Sequence, residues 1–183
     1  MPIWLFGLVA IAAGGVWMFN RAVALRHRAA AAWSDIDVQL KRRWDLVPAL
    51  VSAVKGYTTH ESETLEKVVR ARQRAIAAAD SGSVAARGKD ELTLATAATN
   101  LVAIVEDYPD LKANVHFLEL QKSLVDLEDT LQYARRYYNA VVRDHNVLIA
   151  SFPTMLIAGL FHFKPIEFFQ IDGDERAAPS VTL

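Results

Sequence analysis

Gln121, Glu128 and Arg135 stand seven residues apart and interrupt a run of apolar or aromatic residues at 111, 118, 124, 131, 138, 142 and 149. A seven-residue step drifts about 20° around a helix and rises roughly 10 Å, so the three share one face with that run. A carboxylate or guanidinium on a core face is costly to bury alone, and its partner must come from another helix. Arg42, Arg43 and Arg72 have the right sign for Glu128; Asp45, Glu61 and Glu106 have it for Arg135. Asn139 and Asn146, again seven apart and poor formers of helix interiors, are expected to hydrogen-bond across the bundle. Together Arg42, Arg43, Glu61, Arg72, Gln121, Glu128, Arg135, Asn139 and Asn146 read as a structural polar network that sets the register of packed helices. The competing chemistry is a cleft in which Glu128, Arg135 and an Arg of the first helix hold a small ligand or move a proton.

Other catalytic apparatus is missing from the sequence. His60-Glu61 opens like the zinc pair His-Glu-x-x-His, but Thr64 stands where the second imidazole belongs. His116 and Glu119 are the reverse of the Glu-x-x-His pair that di-iron bundles use twice. There is neither a glycine-rich phosphate loop nor a Gly-x-Ser-x-Gly elbow. The chain has no Cys, which excludes disulfides, thiolate metal sites and thiol nucleophiles. With 20 Lys and Arg against 21 Asp and Glu, no charge excess draws the protein to nucleic acid. No catalytic residue, cofactor or metal is therefore assigned, and the protein is not expected to be an enzyme. Trp33, Trp44 and Tyr138 lie on apolar stripes and are expected in the core.

These side chains need long helices to carry them. The first helix has its bulky residues at Trp33, Ile36, Leu40, Trp44, Val47, Val51 and Val54, in helical steps. Pro48 removes a backbone donor inside it and predicts a kink. Gly56 suits a left-handed C-cap, and Thr59 an N-cap for a second helix with Leu65, Val69, Arg72 and Ile76 on its stripe. Residues 80–89 read as a loop, and residues 90–106 as a third helix with Leu94, Leu101 and Val105 inward. A fourth and longest helix is predicted over 110–151, closed by Phe152-Pro153. The fold class is all-α: an N-terminal transmembrane helix continuing into a long antiparallel bundle of about four helices.

Residues 1–20 contain no charged side chain and, as a helix, cover roughly 30 Å, the thickness of a bilayer's hydrocarbon core. Ala22-Val23-Ala24 imitates a signal-peptide cleavage site, and a buried core helix is a further alternative. However, no positive charge precedes the apolar run, so an uncleaved anchor is expected. Arg21, Arg26 and Arg28 follow it with no acid before Asp35, which predicts the N-terminus outside and the bundle cytoplasmic. Residues 1–24 then form the anchor and membrane-lipid contact, 25–152 the bundle, and 153–183 an apolar C-terminal segment with a polar, disordered tail. Helix parity returns the apolar 154–163 segment either to the bilayer surface or over the end of the bundle.

Several separate motifs occur in order: QLKRRWDLVPALV (39–51), Tyr57 with His60-Glu61, YPDLKAN (108–114), Leu120-Gln121, Glu128, Ala134-Arg135, Tyr138-Asn139, and Asn146 through Phe152-Pro153. In these, residues 20–170 resemble the LemA family. The resemblance implies a single-pass protein of the bacterial inner membrane, with an N-terminal anchor, a long helical bundle and no established enzymatic activity. It departs from the family at Ala49, where Asn is usual, and at His145, where Tyr is usual. A scaffold or protein-interaction module with an unidentified protein partner is the expected function; a ligand-binding or enzymatic bundle and a lipid-sensing protein are the alternatives.

Overall fold

One uninterrupted helix, α1 (Ile3–Lys55), takes up nearly a third of the chain. The computed structural model describes residues 3–58, 61–80 and 84–169. After α1 come α2 (Ser62–Ala79), α3 (Val84–Ile104), a 3₁₀ turn (Val105–Asp107), a single turn α4 (Pro109–Lys112), the long α5 (Val115–Ala150) and the short α6 (Thr154–Leu160). The protein is all-α, a helical bundle with a long apolar N-terminal helix segment. That segment is long and apolar enough to cross a membrane, and none of its most apolar window is buried. A core helix would be mostly buried, so the core-helix alternative does not describe it.

Packing divides the chain into two units, Met1–Val38 with Leu131–Phe168, and Gln39–Thr130 with Phe169–Leu183. In the first, the buried stripe of α1 is built from Ala22, Leu25, Ala29, Ala32 and Ile36, and that of α5 from Leu131, Tyr138, Val142, His145 and Ile149. Tyr138 stacks at a tilt on Trp33, ring centroids 5.2 Å apart. In the second, Val47, Leu50 and Val54 of α1 join Val68, Ala71 and Ala75 of α2, Leu94, Ala98 and Leu101 of α3, and Phe117 and Leu124 of α5 in one apolar cluster.

Several sequence expectations shift by one position or one turn. The buried stripe of α2 is Val68, Ala71, Ala75 and Ala78, with Leu65, Arg72 and Ile76 half-buried and Val69 exposed. Small side chains at three of those four positions let α2 approach α3 closely, and that gain outweighs burying the larger neighbours. The expected loop at 80–89 is helical from Val84, because buried Gly88 and Arg87 are held in the packed face of α3; residues 81–83 lie outside the described set. Gly56 ends α1 without a left-handed backbone. Instead the amides of Tyr57 and Thr58 both reach the Val54 carbonyl, at 3.0 and 3.1 Å, tightening the last turn. Thr59 and His60 lie outside the described residues, and α2 starts with Glu61 at its N-cap position. The polar tail from 172 onward is likewise outside them.

The expected fourth helix is two helices broken at Asn114. Its side-chain oxygen accepts the amide of Phe117 at 3.2 Å, three residues into α5, which is N-cap geometry. Its amide nitrogen donates to the Tyr57 hydroxyl at 3.1 Å, tying the start of α5 to the end of α1. The break resets the helix phase, so Phe117 is buried at 1 % exposure and Leu118 stands out at 47 %. Phe117→Ala is expected to lower the unfolding free energy by about 3–5 kcal/mol, and Leu118→Ala by less than about 0.5 kcal/mol. Denaturant titration of the two variants in detergent micelles checks this; equal costs would contradict the phase.

Candidate functional site

Pro48 sits inside α1 and has no amide hydrogen, so the carbonyl four residues earlier, on Trp44, loses its helical donor. The guanidinium of Arg72 on α2 supplies a replacement: its Nε donates to the Trp44 carbonyl at 2.6 Å. Arg72, a sequence candidate for Glu128, is therefore committed to a backbone defect of α1. The indole of the same Trp44 donates through Nε1 to Glu91 on α3 at 2.8 Å.

Glu91 is the residue the sequence reading missed. Its other carboxylate oxygen accepts Nη1 of Arg43 at 3.0 Å, and its backbone carbonyl lies 3.3 Å from the same nitrogen. Nη2 of Arg43 lies 2.5 Å from the carboxylate of Glu128 on α5. One guanidinium from α1 thus clamps a carboxylate from α3 and another from α5, in charge-assisted geometry. Arg43 is only 1 % exposed and the Glu91 side chain 3 %, whereas the Glu128 side chain keeps 34 %. Buried Arg87, one turn before Glu91, places its guanidinium 6.0 Å from the Trp44 ring centroid and adds positive charge toward Glu91. Two cations thereby balance two anions. The signal for Glu91 was present: stepping back three residues from Leu94 along the α3 stripe lands on it, and four more on Arg87.

Burial pushes the Glu91 carboxyl above its ordinary value of 4.5, more than the opposing pull of Arg43, the Trp44 indole and Arg87 lowers it. The folded state consequently holds that proton more tightly than the unfolded chain. The contribution of Glu91 to stability is full below pH 4.5 and falls as pH rises through the raised folded value.

The other sequence candidates scatter. Arg42 is exposed and Gln121 half-buried. Arg135 and Asn139 are half-buried in the first unit, whereas Asp45, Glu61 and Glu106, the expected acids, belong to the second. Glu106 instead pairs with Lys112 on the surface. Asn146 does not bond across helices: its amide donates to the Ile166 carbonyl and accepts the Ile166 amide, both at 2.9 Å. With His145 Nε2 3.3 Å from the Lys164 carbonyl and the Tyr138 hydroxyl donating to that of Glu167 at 2.9 Å, it straps the extended 164–168 segment along α5. His116 and Glu119 form a loose surface pair at 3.9 Å.

The terminal nitrogens of Arg43 and both carboxylate oxygens of Glu91 are engaged within the cluster. A groove of about 640 Å³ between α2 and α3 is lined by Lys67, Arg70, Arg74 and Thr93 among others, and not by Arg43, Glu91 or Glu128. Two outcomes test the cluster. Replacing Arg72 by Leu strands the Trp44 carbonyl and is expected to cost about 1–3 kcal/mol, but distinctly less in a Pro48→Ala background, where residue 48 regains its amide; a double-mutant cycle in urea reads the coupling, and additivity would refute it. The stability of the wild type relative to Glu91→Gln is expected to fall as pH rises from 4.5; a relative stability that rises with pH would mean that Arg43, not burial, controls Glu91.

Comparison with known proteins gives one family. Residues 32–183 match the LemA family. The magnetosome protein MamQ of Magnetospirillum gryphiswaldense is 25% identical over 92% of this chain and 71% of its own length. The protein LemA of Metamycoplasma hominis is 27% identical over 79% of this chain, which spans 65% of that relative. With the unburied apolar segment of α1, these likenesses fit a membrane-associated helical protein.

Proposed function

Because the chain belongs to the LemA family and its Arg43 and Glu91 are buried against one another, we propose that it is a membrane-anchored scaffold, a helical bundle that presents a surface to another protein. Residues 1–24 hold it in the bacterial inner membrane through lipid contact. Arg21, Arg26 and Arg28 retain the bundle on the cytoplasmic side, with the N-terminus outside.

The outward side of α5 carries this reading. Tyr133, Tyr137 and Val147 of the first unit all project from it, Tyr133 at 68 % and Tyr137 at 56 % exposure, within roughly 80° of arc by their helical spacing. Exposed Tyr is a common anchor of protein interfaces, apolar in body with a polar tip. The guanidinium of Arg136 lies 5.3 Å from the Tyr133 ring centroid and steadies it in an outward pose. The dense packing at Arg43 and Glu91 counts against catalysis, since no substrate atom reaches a guanidinium 1 % exposed.

A photo-crosslinking residue at position 133 or 137, irradiated in native membranes, is expected to yield a discrete adduct with a second polypeptide species. The same residue at 116, exposed and about 60° beyond that arc, is expected to yield none. Adducts of the chain with itself alone, or no adduct, would overturn the scaffold reading.

A further inference from the structure

The short helix α6 is built inside out for a protein in water. Thr154 and Ala158, its smallest side chains apart from Gly159, face inward at 5 % exposure each, one helical turn apart. Met155, Leu156, Leu160 and Phe161 face outward, Leu156 at 64 % and Leu160 at 72 %. Residues 152–161 include no charged side chain. A large apolar face exposed on a short helix is a docking surface, and its position decides the occupant.

That position is fixed by contacts with α1. A β-carbon on Gly15 would stand 3.8 Å from Ile157 Cδ1. Phe19 meets Phe161 and Phe163 at ring-centroid distances of 4.7 and 5.7 Å, and Ala22 packs with Ile149 and Ala158. The contacts thus run from residue 15 to residue 22, a rise of about 10 Å along α1. This is the stretch where the uncharged run of α1 gives way to exposed Arg21, Arg26 and Arg28, with exposed Trp17 between. In a helix crossing a bilayer, aromatic rings followed by cations mark the boundary of acyl chains and headgroups. An interfacial helix buries its apolar face about 5–10 Å into that boundary.

The chain is turned back at the same level. α6 ends with His162 in the left-handed region at φ 57°, its amide reaching the Gly159 carbonyl at 3.3 Å and that of Phe163 the Ala158 carbonyl at 2.9 Å. This is a Schellman ending, which reverses the chain and returns Phe163 to the Ala158 cluster. The strap of 164–168 on α5 then holds α6 against α1.

We propose that α6 is a second membrane contact: a monotopic helix whose Met155, Leu156, Leu160 and Phe161 lie in the lipid at the level where α1 leaves the bilayer. Arg21, Arg26 and Arg28 complement the lipid phosphates beside it. The proposal rests on α1 crossing the membrane and adds to it a fixed depth and rotation for the first unit.

The absence of native Cys makes the test direct. Single cysteines replacing Leu156, Leu160, Val9 and Ser123 in the full chain are spin-labelled and reconstituted into phosphatidylcholine–phosphatidylglycerol vesicles. Helicity by circular dichroism serves as the check that each variant folds. Labels at 156 and 160 are expected to collide more with oxygen than with an aqueous nickel chelate, the label at 9 still more so, and the label at 123 the reverse. Aqueous labels at 156 and 160 with a lipid-exposed label at 9 would overturn the proposal and leave the anchor standing. Labels at 156 and 160 shielded from both reagents would overturn it in favour of cover by protein. An aqueous label at 9 would remove the anchor, and the proposal with it.

Discussion

A guanidinium removed from water must find its charge and hydrogen bonds inside the protein, and Arg43 meets that demand only if three helices converge on it. α1 supplies the cation, α3 supplies Glu91 and α5 supplies Glu128. Apolar side chains alone would permit these helices to slide by a turn at modest cost. A slide that parts Arg43 from either carboxylate leaves a buried charge uncompensated, at a cost of about 3–5 kcal/mol. A well-packed apolar core could match the cluster in stability.

The same corner of the structure answers a backbone problem. Pro48 deprives the Trp44 carbonyl of its partner, and Arg72 supplies the donor. Trp44 is in turn fixed at its indole by Glu91 and flanked by Arg87. One proline thus recruits α2 to the assembly that Arg43 forms with α3 and α5. The motif around residues 39–51 acquires a physical meaning: its Arg, Trp and Pro are parts of one hydrogen-bonded arrangement rather than separate features.

The first unit relies on different means. Buried alanines line α1, and the polar side chains of α5, Tyr138, His145 and Asn146, are directed at the backbone of residues 164–167. An extended segment has unpaired amides and carbonyls, and Asn146 satisfies one of each at Ile166. Where the family usually has Tyr, His145 still finds a carbonyl, that of Lys164.

By itself the sequence determined the helical class, the uncharged stretch at the N-terminus, the stripes on α1 and α3, and the family, because each is a local pattern repeated over many residues. It also marked Glu128 as needing a cation and Arg43 as one of three that could serve. Only the tertiary structure decided which. Arg42, Arg43 and Arg72 are equivalent in charge, and the choice depends on which faces inward and whether Pro48 has already claimed a donor. The phase of α2 and the break at Asn114 were decided there too. A stripe can turn by one residue, about 100°, and stay amphipathic, so helix packing and the cap at Asn114 select between phases that the pattern leaves close in energy.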